Sequence, residues 1–271
     1  MLFESEIKRI YDSRPEYEWE RLDRHRTEFA LTLRALQEFL PPPPVKILDC
    51  GGGPGRYSIE LALQGYEVTL FDLSDGNLAL AKEKAAKANA TFSNIHQGTA
   101  TDLSRYANNT FDTVLLMGPL YHLLAEADRQ QALAETYRVL KTDGMLFSAF
   151  ITRYAPIKWC AANDPEWVFT HQKETQSILE TGKLSPRGES DGEFVAYFAH
   201  PTEVKPMIEG QGFVLQNLLG VEGLVSEIEE KVNQLSGDAW KTWVDLNYKL
   251  ASDPSLHGAA EHLLAFAIKP D

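Results

Sequence analysis

Hydrophobic and polar positions divide the chain into a regular middle and two less regular flanks. Residues 1 to about 40 read as helix, because Leu22, Phe29, Leu33, Leu36 and Leu40 recur at helical spacing with charges between them. Pro41-Pro42-Pro43-Pro44 ends that element and serves as a stiff spacer. Strands are then predicted at 45–50, 68–71, 91–97, 111–117 and 145–151, with helices at 56–64, 75–88 and 126–141. Strands alternating with helices predict a doubly wound, mostly parallel α/β sheet covered on both faces.

After Ile151 the rhythm breaks. Residues 153–193 are polar and irregular and read as a lid or binding loop. Extended segments are expected at 194–199, 213–221 and 262–269, a short helix at 201–210 and a helical insertion at 223–251. Trp19, Trp159, Trp167, Trp240 and Trp243 all fall outside 45–150. Two readings stay open for them: they pack the insertions onto the core, or they wall a shared pocket.

Composition narrows the function. The 271 residues carry a formal net charge of −13 and no Lys/Arg cluster, so a nucleic-acid partner is not expected. Cys50 and Cys160 stand far apart, which fits a reducing compartment and makes neither a disulfide framework nor a metal cluster. The histidines show no metal-ligand spacing, and no metal site is expected. The start of the chain is acidic and lacks a signal-peptide pattern, and no apolar run is long enough to span a bilayer. The expectation is a cytoplasmic protein, monomer or homodimer, with no membrane segment.

The chemistry concentrates after the first strand. Asp49-Cys50-Gly51-Gly52-Gly53-Pro54-Gly55 is a strand ending on an acid and entering a glycine turn. A dinucleotide site would need Gly-x-Gly-x-x-Gly, and the third glycine is absent. A carboxylate before the turn repels a pyrophosphate and suits an ammonium. The second strand ends on Asp72, where an acid can take both hydroxyls of a ribose. The structural alternative is that Asp72 or Asp75 caps the next helix, and Asp75 is the better placed for that.

Asp49-x-Gly-x-Gly-x-Gly followed by Asp72 resembles the class I S-adenosylmethionine-dependent methyltransferases. Gly98-Thr99-Ala100-Thr101-Asp102-Leu103, the run from Phe111 to Leu123, and Arg138-Val139-Leu140-Lys141-Thr142-Asp143-Gly144 resemble the family's later motifs. Glu18-Trp19-Glu20-Arg21-Leu22, Gly220-Val221-Glu222-Gly223-Leu224 and Glu261-His262-Leu263-Leu264-Ala265 resemble a bacterial subgroup of small-molecule methyltransferases. The resemblance implies a seven-stranded Rossmann-like methyltransferase fold with S-adenosylmethionine as cofactor. It divides the chain into a helical cap at 1–44, a cofactor-binding core at 45–152, a lid at 153–193, and the rest of the sheet at 194–271 with the insertion at 223–251.

Carried over by position, Asp49, Gly51, Gly53 and Gly55 meet the methionine part of the cofactor. Asp72 meets its ribose, and Ala100, Thr101 and Asp102 its adenine. Gly52, Leu73, Met117 and Gly118 complete the site. Many relatives have an acid where Thr99 stands, and it often accepts from the adenine amino group; Asp102 or backbone would replace it. Thr142-Asp143, in place of Pro-Gly, reads as a different turn. His122 is the candidate base or an orienting histidine, and Tyr121 lines the methyl channel or packs. Tyr11, Tyr17, Arg21 and Tyr197 are candidate substrate contacts. The expected activity is in-line methyl transfer to an O, N or C nucleophile of a small molecule. The alternatives are an RNA or protein methyltransferase of the same fold, or a non-catalytic cofactor-binding protein.

Overall fold

The computed structural model describes residues 2–184 and 195–271. Strand β1 (Lys46–Cys50) is followed by β2 (Glu67–Asp72), β3 (Asn94–Gln97), β4 (Phe111–Leu116) and β5 (Leu140–Ile151), all parallel. A short antiparallel pair, β6 (Lys183–Leu184) and β7 (Ala196–Tyr197), stands apart. Strands β8 (Val214–Gly220) and β9 (His262–Ile268) are antiparallel and complete the seven-stranded sheet in the order β3-β2-β1-β4-β5-β9-β8. This is the doubly wound, mostly parallel sheet that the strand–helix alternation predicts.

Central strands are buried on both faces, so they read as continuous apolar runs. Alternate side chains feed two cores. Leu48, Val114, Leu116 and Leu146 pack with Leu133 and Ile208 on one face; Ile47, Leu115 and Phe147 pack with Leu31, Leu36 and Leu61 on the other. The helices that supply those partners are α3 (Arg26–Phe39), α4 (Arg56–Leu63), α7 (Glu126–Val139) and α11 (Pro201–Glu209).

The flanks differ from their predictions. The first 40 residues form three helices: α1 (Leu2–Ser13), α2 (Pro15–Arg24) and α3. Pro15 causes the first break, since proline favours the first turn of a new helix. The stretch expected as an irregular lid folds into α8 (Ala155–Asn163), α9 (Trp167–Thr170) and α10 (Gln172–Thr181). The lid and the segment at 194–199 reach into 185–194, which lie outside the described residues. The insertion at 223–251 splits into a 3-10 turn at Gly223–Ile228, α12 (Glu229–Asn233) and α13 (Gly237–Leu250). The helix predicted at 126–141 stops at Val139, because Leu140 already pairs with Phe111. Thr142-Asp143, expected as a turn, lies within β5 where its register against β4 shifts, with Asp143 at φ 59°. Among the described residues no helix is long and apolar enough to cross a membrane.

Candidate active site

β1 lies between β2 and β4, and open α/β sheets bind ligands where the strand order reverses in this way, at the carboxyl ends of the strands. The glycine turn sits there. Gly51 N–H donates to Phe71 O at 2.7 Å and ties the ends of β1 and β2 together. Packing excludes side chains at two positions. A Cβ on Gly51 would stand 2.5 Å from Pro119 Cδ, and one on Gly52 2.5 Å from Asp49 Oδ2. Gly53 differs. A Cβ there would meet nothing closer than Asn77 Nδ2 at 3.8 Å, but its φ of 56° favours glycine and leaves the backbone bare toward the cavity.

Two buried acids flank this turn. Asp49 accepts from Ser58 Oγ at 2.7 Å, and burial, with Asp72 adding repulsion, pushes its carboxyl up to about 7. Asp72 accepts from Gly53 N–H and Ser74 N–H, each at 2.8 Å, one on each oxygen. Burial still lifts it to about 6. Each oxygen keeps further acceptor capacity, which is what a ribose diol uses. The capping role falls to Ser74, which accepts from Asn77 N–H at 3.1 Å. Asp75, expected as cap, instead begins α5 (Asp75–Ala88) and pairs with Lys8 at 2.9 Å. Asn77 Oδ1 is buried and has no hydrogen-bond partner among the described residues. Desolvated acids, a bare glycine backbone and an unmatched acceptor fit a ligand carrying an ammonium and hydroxyls.

Helix α1 roofs the cavity. Glu4, Ile7, Lys8 and Tyr11 face it at i, i+3, i+4 and i+7. Asp12 anchors the roof by accepting from Ser74 Oγ at 2.7 Å and Gly76 N–H at 3.1 Å. Farther along, Tyr11 Oη and His122 Nε2 are 2.7 Å apart. His122 Nδ1 lies 3.4 Å from the Val195 carbonyl, which only accepts, so the proton is assigned to Nδ1 and Tyr11 donates to Nε2. Burial pushes His122 down to about 4, so the ring is neutral at physiological pH. His122 and Tyr121 sit in α6 (Pro119–His122), edge to face at 4.7 Å.

Arg21 closes the wall from α2. It grips Glu28 through both terminal nitrogens at 2.6 and 2.9 Å and reaches Glu18 at 3.2 Å. Behind Glu28 lies His262, whose Nδ1 is 2.5 Å from Glu222. Glu28, Glu222 and His262 come close enough to share a metal ion, but Arg21 already occupies Glu28 and His262 already occupies Glu222. The cluster reads as a closed charge network.

The cavity is open, and the empty space within its walls is about 1120 Å³ with the solvent at its mouth included. It gathers Asp49, Gly51, Gly52, Gly53, Asp72 and Leu73, and also Ala100, Met117, Gly118, Tyr121 and His122, with Tyr11 and Arg21 from the cap. Five expected residues lie elsewhere. Gly55 caps α4 at φ 82° and faces Ala81, Phe92 and Leu70. Thr101 stands behind Thr99, 3.0 Å between hydroxyls. Asp102 is exposed and takes Ser104 N–H. Tyr17 is 58% exposed beneath Arg24. Tyr197 stacks under Arg129 and donates to Glu203 at 2.7 Å.

The tryptophans do not wall the cavity. Trp19 stacks on Arg56 and Lys84, Trp240 on Arg26 and Trp167 on His171, while Trp159 and Trp243 are exposed. The segment at 153–193 contributes no described lining residue; it meets the site by packing on Tyr121. Glu4, Lys8 and Asn77 also line the cavity, although no sequence motif points to them, and Glu18 joins them from the cap segment that resembles the bacterial subgroup.

A profile described as a methyltransferase domain matches residues 48–148. A glycine/sarcosine N-methyltransferase of Aphanothece halophytica is 35% identical over 102 residues, which is 37% of this chain and only 38% of that enzyme's length. A tRNA 5-carboxymethoxyuridine methyltransferase of Escherichia coli O157:H7 is 27% identical over 207 residues, 74% of this chain and 71% of that enzyme. The crystal structure of a SAM-dependent methyltransferase from Methanosarcina mazei superposes with a TM-score of 0.61 at 19% identity, covering 87% of this chain and 97% of that one. With the matched domain, the sheet order and the acid-flanked glycine turn in agreement, residues 48–148 form a methyltransferase domain, and the chain has the fold of the class I S-adenosylmethionine-dependent methyltransferases.

Proposed function

We propose that this chain transfers the methyl group of S-adenosylmethionine to a nitrogen or oxygen of a small molecule. The observation that carries the reading is the closure of α1 over the glycine turn through Tyr11 and His122, which roofs the chamber. When bound, the cofactor supplies a methyl already activated on a sulfonium. Asp72 would hold the ribose, Asp49 and the turn the methionine end, and Leu73 and Ala100 the base. Tyr121 adds an aromatic face of the kind that stabilises cations.

The rest is positioning, which can supply roughly 7–11 kcal/mol. The Tyr11 proton is committed to His122, so its oxygen presents lone pairs to the chamber. An acceptor N–H or O–H can donate to that oxygen and turn its own lone pair inward. A proton leaving through Tyr11 would end on His122 Nε2, a weak base at about 4. That suits a nucleophile reacting as a neutral lone pair, such as an amine, better than one needing prior deprotonation.

A second reading, methylation of RNA, is favoured by the tRNA-modifying relative and opposed by the net charge of −13. The test is incubation with methyl-tritiated cofactor and separated small-molecule, RNA and protein fractions. Label in the small-molecule fraction is expected. Label confined to RNA or protein overturns the proposal, and cofactor binding with no label anywhere leaves a binding protein.

A further inference from the structure

Four strand ends line up beneath α1. Met117 and Gly118 follow β4, the glycine turn follows β1, Asp72 ends β2 with Leu73 after it, and Gly98, Thr99 and Ala100 follow β3. A ligand with its cationic end at Asp49 and its ribose at Asp72 has one direction left for its base, toward β3. The acid in the cavity wall at that end comes from the roof. Thr99 Oγ1 donates to Glu4 Oε1 at 2.8 Å. An ionised carboxylate only accepts, so the Thr99 proton goes to Glu4, and the Thr101 hydroxyl, 3.0 Å away, donates to Thr99. This chain of two hydroxyls fixes the Glu4 carboxylate against the loop after β3. Asp102, the acid nearest in sequence, lies outside the cavity and takes Ser104 N–H.

Resting on the cofactor reading above, we infer that Glu4 accepts a hydrogen bond from the exocyclic amino group of the adenine, with Thr99 as its positioning residue. Adenine carries one exocyclic donor group, and a carboxylate accepts such a donor with charge assistance. The loop after β3 places no acid of its own in the cavity; α1 supplies one from 95 residues away. A purely structural account of Glu4 differs in its consequence. An acid in the first turn stabilises its helix through the helix dipole and would act on any ligand equally.

Calorimetry separates the two accounts. The ligands are S-adenosylhomocysteine and its analogue with hydrogen in place of the 6-amino group. The unmodified protein should bind the amino form at least about tenfold more tightly. In Glu4→Ala the amino form should weaken by about tenfold and the deamino form by less than about twofold, so the preference collapses. Thr99→Val should show a smaller loss, again confined to the amino form, and Glu4→Gln should retain part of the preference through its amide oxygen. Equal weakening of both ligands in a folded Glu4→Ala protein would overturn the assignment in favour of roof closure. An unchanged preference would overturn it outright. Wild-type protein that binds neither ligand sinks the cofactor reading itself, an outcome distinct from loss of the preference alone.

Discussion

Tyr11 and His122, 111 positions apart in sequence, share a 2.7 Å hydrogen bond that joins α1 to α6 across the cavity. Tyr11→Phe leaves the buried His122 Nε2 without that donor. A stability loss of about 1–3 kcal/mol is expected by urea unfolding. Turnover should fall by about a hundredfold as the acceptor loses its positioning, with cofactor affinity nearly unchanged. Because His122 stays neutral well above about 4, turnover should show no histidine step between about pH 6 and 8. Such a step would point to a base other than this pair.

Asp72 organises the turn, and the proposed function also gives it the ribose. Asp72→Ala removes the acceptor for Gly53 N–H and Ser74 N–H as well as two charge-assisted bonds to a ribose. Each of the latter is worth about 1.5–3 kcal/mol, so affinity for S-adenosylhomocysteine should fall at least about tenfold. Unchanged affinity by calorimetry in a folded variant would remove Asp72 from the ribose role.

The buried acid pair predicts a pH dependence. Asp49 at about 7 and Asp72 at about 6 are both raised, so each carries a proton below those values in the free protein. A cation binds the ionised forms. Affinity for the cofactor should therefore rise from about pH 5 to 7, by up to about tenfold per unit for each proton displaced. Asp49→Asn should flatten the upper part of that rise. A variant profile that overlays the wild type would show that Asp49 does not face the ammonium.

The network behind Arg21 predicts stability. Burial opposes a charged His262, but Glu28 and Glu222 outweigh it and hold the ring up at about 10. Raised above its unfolded value, it contributes fully below about pH 6.5, and the contribution is lost as pH rises through about 10. Urea unfolding from neutral pH upward should show that decline. His262→Ala should cost about 3–5 kcal/mol and remove the alkaline decline. Because the carboxylates already have partners, a chelator should leave the melting temperature unchanged.

The sheet and the acid-flanked turn are legible in the sequence for a physical reason. Burial on both faces leaves unbroken apolar runs such as Val114-Leu115-Leu116, and a sharp turn near backbone needs glycine. The roof is harder to read. Glu4, Ile7, Lys8 and Tyr11 share one helical face, but a stripe facing a wet cavity is mostly polar and looks like solvent-facing surface. Pro15 and the proline in the first turn of α8 mark helix starts that apolar periodicity alone does not resolve. The tryptophans mislead because a large aromatic outside the core satisfies itself as readily by stacking on arginine as by lining a pocket.

Glu4 and Tyr11 stand seven residues apart on one rigid helix, a rise of about 10 Å. One points to the β3 end of the cavity and the other to the β4 end. Helix α1 thus works as a caliper, with one jaw assigned above to the adenine and the other to the acceptor. Cofactor or acceptor alone would engage a single jaw and leave the other unfilled. In a compound that joins adenosine to an acceptor, the second contact forms at high effective concentration, so the joined compound should outbind its two parts far beyond the sum of their separate contributions.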